Sequence, residues 1–322
     1  MRQHRLTDSR HPWSQHRQQE RNAMISQAFR LDETTHSGHR PKTRYSAPIS
    51  NIPNLSAARN VAVLQRIDIF GAVWQGSVRT TLAPRFDIAS RRISSVELLN
   101  CLHHPDFGVV DSTTFLPCLN SEQARTLFLC DLAYVQEKLR IGSNETRELL
   151  VDIPTSAAAL STLGSEIRII AQHTPDLFRR LELTLEEKAV AALSQDQTAQ
   201  LRDLTKYGLR FTLRCAGQGA GGQIDLPFQA VRIDAAVTRG ISKSADQLEM
   251  MRVLVADAAR LGARVIVDGV DHAADLMVVR RETCGEAQGD LFGAPAGIED
   301  FRLQLAERPE TPSGYRTACS SR

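Results

Sequence analysis

The stretch SADQLEMMRVLVADAARLGARVIVD, residues 244–268, holds one complete helix-to-strand unit. Ser244 followed by Gln247 makes a capping box, in which each side chain takes up a backbone N–H that the first helical turn leaves unbonded. Leu248, Met251, Leu254, Val255, Ala258 and Leu261 then recur at helical spacing, so one face of the helix is apolar. Gly262 suits the left-handed residue that ends a helix. Ala263–Asp268 is a short β-rich run that finishes on a carboxylate. A helix feeding directly into a buried strand is the repeating unit of a parallel sheet.

Outward from this unit the alternation extends over the chain from about residue 78. Strand-like runs are Arg79–Ile88, Leu149–Ile153, Arg180–Thr184, Leu209–Leu213 and Ala230–Asp234. Helical spacing marks Ser121–Arg140, through Leu127, Leu132, Val135 and Leu139, and Asp196–Tyr207, which stops at Gly208. Alternation over about 255 residues predicts an α/β fold, a closed (β/α)8 barrel of the TIM type. Asp152, Glu182, Asp234 and Asp268 fall at or near strand C-terminal ends. In such a barrel those ends converge on one mouth, so the four carboxylates gather there, as helix caps or as the oxygen ligands of cations.

The chain has 322 residues and 42% hydrophobic composition, ordinary for a protein with a real core. It contains no run of about 18 apolar residues and no apolar leader, which predicts a cytoplasmic protein without a membrane span. Cysteines 101, 118, 130, 215, 284 and 319 form no metal-binding spacing and read as reduced thiols. Cys215 reads as a small buried thiol or a nucleophile, and no histidine lies near it in sequence to activate it. The first 50 residues carry nine Lys/Arg and four Asp/Glu, a net of +5, with five of the nine histidines. Residues 1–55 are expected to be a disordered basic arm that either touches nucleic acid through phosphates or is a solvated tail upstream of a start at Met24. The barrel is expected over 56–310, with VAVLQRIDIFGAVW at 61–74 a leading helix or an added strand, and 311–322 a flexible tail broken by Pro312 and Gly314.

LRFTLRCAGQGAGGQ, residues 209–223, invites a phosphate-loop reading through Gly217, Gly219, Gly221 and Gly222. No helix with a ribose-binding acid follows it, so that reading is weak. Order and spacing across the chain resemble the EAL domain family, the barrel phosphodiesterases that open cyclic di-GMP. VELL at 96–99 stands for the name-giving Glu-Ala-Leu, LELT at 181–184 for Glu-Ile-Thr-Glu and VRID at 231–234 for Lys-Ile-Asp. VIVDGVD at 265–271 stands for Ala-Glu-Gly-Val-Glu, and AQGDLFGAP at 287–295 resembles the closing Gln-Gly segment.

The resemblance implies a metal shell on Glu97, Asp152 and Glu182, and a guanine contact at Gln288. It also implies departures. The family's paired metal aspartates fall on Arg214 and Cys215, its lysine beside the attacking water on Arg232, its second-motif glutamate on Asp268, and a phosphate-binding arginine on Cys101. Arg cannot lose its proton near neutral pH, so Arg214 is expected to repel the metal pair or to neutralise the rim carboxylates. The implied protein is a degenerate, stand-alone EAL regulator without a cofactor, of the kind that represses virulence or motility programmes, the Bordetella type included. Its expected partner is a regulatory protein, with nucleic acid reached through the arm and homodimerisation open. The alternatives are a cyclic di-GMP receptor that binds without hydrolysis, with Glu97, Arg214, Arg232 and Gln288 as contacts, and a weak phosphodiesterase using Mg or Mn.

Overall fold

The computed structural model describes residues 67–306 except 91, 106, 140–148, 158–159, 161–162, 218–225 and 283–284. The expected arm at 1–55, residues 56–66, the tail at 311–322 and glycines 219, 221 and 222 lie outside the described residues. Among the described residues nine strands form one sheet: β1 Val78–Asp87, β2 Ile93–His104, β3 Gly108–Asp111, β4 Leu150–Pro154, β5 Leu181–Glu186, β6 Arg210–Cys215, β7 Phe228–Ile233, β8 Arg264–Val267 and β9 Glu286–Ala287. Their order is β1-β9-β8-β7-β6-β5-β4-β2-β3, and β1 also pairs with β2. Eight strands therefore close into a barrel, and β3 hangs on β2 outside the ring.

The expected barrel is present, with two differences from a uniformly parallel ring. β1 runs antiparallel to both of its neighbours, β2 and β9. Only residues 88–92 separate β1 from β2, far too few for a parallel crossover. β2 itself, ISSVELLNCLHH, does not stand out as a strand in the sequence. Its alternate positions Ser95 and Glu97 are polar because they face a polar barrel interior.

Among the described residues seven helices of six residues or more surround the ring: α1 Ile69–Trp74, α2 Ser121–Lys138, α3 Gly164–His173, α4 Gln195–Thr205, α5 Ala245–Leu261, α6 Ala273–Arg281 and α7 Ile298–Ala306. α1 makes the described part of the 61–74 run a helix. Asn120 with Gln123, and Ser194 with Gln197, form reciprocal capping boxes for α2 and α4. At α5 only half of the expected box forms: Ser244 accepts from the Gln247 backbone N–H. The Gln247 side chain instead donates to the carbonyls of Ala236 and Arg239 at 3.0 and 3.1 Å, tying the helix start to the loop after β7. Gly262, at φ 64°, closes α5 in the left-handed conformation.

The core is the layer between strands and helices. Val96, Val151, Ile153, Leu183, Leu213, Ile233 and Val267 from the strands share one buried cluster with Leu132, Ile167, Leu201, Leu204, Met251, Leu254 and Val279 from the helices. Each such side chain contributes about 1.5–3 kcal/mol on burial. A smaller cluster of Ile69, Val78, Leu102, Val110, Phe115 and Leu127 seats α1 and β3.

Candidate functional site

Successive strand residues face the helices and the barrel interior in turn. In a barrel of this type the interior is ordinarily filled by branched apolar layers. Here it is polar, and its side chains sort into three tiers. At the lower tier, Arg264 of β8 donates to both oxygens of Glu182 on β5 and to Glu286 of β9 at 3.2 Å. The Ser95 hydroxyl donates to the other Glu286 oxygen at 2.9 Å.

The middle tier is built on two buried arginines. Arg232 of β7 donates from Nη1 to Glu97 Oε1, from Nη2 to Glu97 Oε2 at 2.7 Å and from Nε to Asp268 Oδ2 at 2.6 Å, and its Nη1 lies 3.4 Å from Asp152 Oδ2. Arg85 of β1, fully buried, donates from Nη2 to Asp152 Oδ2 and from Nε to Gln288 Oε1 at 2.9 Å. Gln288 passes the chain on, donating from Nε2 to Glu97 Oε2 at 2.7 Å. Asp152 also accepts from the Thr184 hydroxyl. Pairing of β2 with β4 and β4 with β5 sets Glu97, Asp152 and Glu182 in one register row, from which Glu97 and Asp152 turn to Arg232 and Arg85, and Glu182 to Arg264. Gln288 is held in place by its own backbone, which donates to Val267 O at 2.9 Å and accepts from Val270 N at 3.0 Å.

Burial alone would push the Glu97 carboxyl up; Arg232 and Arg85 more than reverse this and hold it at about 2. Burial works against the charge on Arg232 too, but Asp268 and Glu97 raise its basicity well above the ordinary value. Asp268 moves the other way: burial and the neighbouring Glu97 outweigh Arg232, and its carboxyl is raised. Asp268 Oδ1 and Arg85 Nη1 are both buried without a hydrogen-bond partner among the described residues.

The upper tier is the rim. Arg214 of β6 donates to Asp234 Oδ2 from Nε at 3.0 Å and from Nη2 at 2.6 Å, and to Glu186 at 3.2 Å. Arg214 thus meets Asp234, one of the four strand-end carboxylates, and Glu186 of β5. β6 and β7 pair with Arg214 directly opposite Arg232, so the two differ in where their side chains bond: Arg214 to Asp234 and Glu186, Arg232 to Glu97 and Asp268. Asp234 is likewise a cap and a rim partner: its Oδ1 accepts from Ala236 N at 2.8 Å at the start of the short helix Ala235–Thr238. Cys215 faces the opposite way, into the strand–helix core, where burial and Glu187 push its thiol up to about 12. A thiol so raised is a poor nucleophile. Cys101 is half-buried on β2, where burial and Asp111 raise its thiol as well.

The EAL domain pattern matches residues 68–295, which takes in all eight strands of the ring. The chain belongs to the EAL domain family. It is 26% identical over 226 residues to an uncharacterized signaling protein of Caulobacter vibrioides, covering 67% of this chain and 27% of that protein. It is 25% identical over 220 residues to a cyclic di-GMP phosphodiesterase of Pseudomonas aeruginosa, covering 66% and 37%. Among solved structures, the PaMucR phosphodiesterase in complex with c-di-GMP superposes with a TM-score of 0.61 at 19% identity, over 73% of this chain and 98% of that one. The chain spans about a third of the length of the curated relatives it matches.

The EAL fold implies a divalent metal pair at the mouth, and the donors of this EAL domain do not fit one. Hard cations need several free carboxylate or carbonyl oxygens around a common point. Here both oxygens of Glu97 and one each of Asp152 and Asp268 take N–H donors from Arg232 or Arg85, and Glu182 is turned to Arg264. Among the described residues no three His, Cys, Asp or Glu side chains are arranged to hold a metal ion. A guanidinium and a divalent ion at about 4 Å repel by about 8 kcal/mol at an effective dielectric near 20.

The middle tier brings together five of the residues singled out from sequence: Glu97, Asp152, Arg232, Asp268 and Gln288. Arg85 and Arg264 were not anticipated. The signal for Arg85 is one cation in the otherwise apolar run LAPRF, at an inward position of a buried strand. Only the partner strands across the ring show what it neutralises.

Proposed function

We propose that this EAL domain is a non-catalytic regulator that acts by contact with a protein partner, repressing a gene-expression programme of the virulence or motility type within or beside cyclic di-GMP signalling. The observation that supports it is the pair of buried guanidiniums, Arg85 and Arg232, bonded to the oxygens that water activation by two metals would require. Relatives that bear the name cyclic di-GMP phosphodiesterase support the signalling context. A stable barrel that keeps its shape while its cutting chemistry is removed is a scaffold for recognition. The basic arm, which could reach nucleic acid, and a homodimer are further contact routes within this reading.

The test is hydrolysis and calorimetry on one purified sample, with cyclic di-GMP and Mn²⁺. The expected result is no linear pGpG and no heat. Turnover abolished by Glu97→Ala would overturn the reading in favour of a residual phosphodiesterase. Heat without turnover would make the protein a receptor instead. Gln288 weighs against the receptor, since both ends of its amide are already bonded, to Arg85 and Glu97.

A further inference from the structure

Three oxygens meet around the Arg85 side chain. Its Nε bonds Gln288 Oε1 at 2.9 Å, its Nη2 bonds Asp152 Oδ2, and the same Nη2 lies 3.8 Å from Glu97 Oε1. Two carboxylate oxygens and one amide carbonyl are the donor types of a hard divalent cation. They are a poor match to a guanidinium, which carries five N–H donors in a planar fork. The mismatch is visible: Arg85 Nη1 is buried with no acceptor among the described residues. Charge agrees with geometry. Glu97, Asp152 and Asp268 face Arg85 and Arg232, three negative groups against two positive ones. Without Arg85 the tier would carry two uncompensated negative charges, the charge that one divalent ion cancels.

We propose that Arg85 is an autoinhibitory plug: strand β1 delivers its guanidinium into a cation position bounded by Asp152, Glu97 and Gln288, and that side chain, more than the altered residues of the family motifs, keeps divalent cations out of the mouth. Arg232 does not fill this position: its Nε and both terminal nitrogens are committed to Asp268 and Glu97 with Nη1 3.4 Å from Asp152, and Gln288 Oε1 and the principal bond to Asp152 Oδ2 fall to Arg85. The inference rests on the non-catalytic reading of the same site, and adds to it which residue enforces the exclusion.

The experiment is thermal unfolding of the full chain with and without Mn²⁺, for wild type, Arg85→Met, Arg85→Gln and Arg85→Lys. Wild type and Arg85→Lys, which keep a cation, should be unmoved. Arg85→Met and Arg85→Gln should gain an upward shift of about 5–10 °C at Mn²⁺ about 100 times its Kd. Asp152→Asn added to Arg85→Met should abolish the shift, which separates the mouth from the histidines of the first 50 residues. A folded Arg85→Met and Arg85→Gln that ignore Mn²⁺ would overturn the plug, as would a wild type whose shift is lost on Asp152→Asn. If neither neutral variant folds alone, recovery of soluble protein on refolding with Mn²⁺ supports the plug, and no recovery overturns it. Neutral variants that fold and ignore Mn²⁺ overturn the plug without bearing on whether wild type hydrolyses cyclic di-GMP, and turnover by wild type is read in a separate assay, so the two readings fail separately.

Discussion

Arg232 holds both oxygens of Glu97 with its terminal nitrogens and Asp268 with its Nε, so one side chain on β7 joins β2 to the end of β8 across the barrel. Charge-assisted, two-pronged contacts of this kind are the strongest a side chain makes. Replacing Arg232 by Ala leaves Glu97 and Asp268 buried without their main partner. The expected loss is about 3–5 kcal/mol of stability in urea unfolding. Arg232→Lys, a single point donor, should recover only part of it.

Arg214 makes the opposite case. Its side chain is 18% exposed and pairs with Asp234 and the exposed Glu186. Arg214→Ala should cost about 1 kcal/mol or less. Arg214→Asp, which returns a carboxylate to one of the family's metal positions, should still give no Mn²⁺-dependent pGpG, because the middle tier is unchanged. Turnover in that variant would show that the rim, and not the buried pair, blocks the chemistry.

Acid should weaken the barrel through Glu97. Its folded-state value, about 2, lies below that of an unfolded glutamate. The stabilisation is therefore complete above the unfolded value near pH 4.5 and is lost as pH falls toward 2, amounting to about 3 kcal/mol. Unfolding measured from pH 6 to 3 should show this slope, and Glu97→Gln should flatten it.

Asp131 should act in the reverse sense. It sits on α2, 3% exposed, and both its oxygens accept from Asn100 Nδ2, at 2.9 and 3.0 Å. Burial pushes its carboxyl up to about 7, and the Asn100 amide lowers it only in part. A raised carboxyl stabilises below the unfolded value near pH 4, and that stability is lost as pH rises through 7, on the order of 4 kcal/mol in all. Asp131→Asn should therefore be more stable than wild type at pH 8, with the difference shrinking or reversing at pH 4.

Gly269, directly after Asp268, has φ +70°, and a Cβ there would lie 2.5 Å from Ala235 Cβ. Gly269→Ala should lose about 1–3 kcal/mol through left-handed strain and that clash. The loop after β8 would shift with it, and with it the seat of Asp268, which circular dichroism melts would register as a lowered Tm.

The alternation of apolar helix stripes with short strands, the cap at Ser244 and the stop at Gly262 were legible in the sequence, because they depend on residues within one or two turns of each other. So was the family, through the order of its motifs. β2 was hidden, since its inward residues are polar and break the alternation by which a strand is read. What only the closed ring decided was which cation meets which carboxylate. Arg85, Glu97, Asp152, Arg232, Asp268 and Gln288 are separated by as many as 203 positions, and strand register alone sets their height in the barrel. A motif alignment assigns Arg214 and Arg232 by position in the chain; the sheet sets them side by side, and only the folded ring decides that one guanidinium turns to Asp234 and Glu186 while the other reaches Glu97 and Asp268.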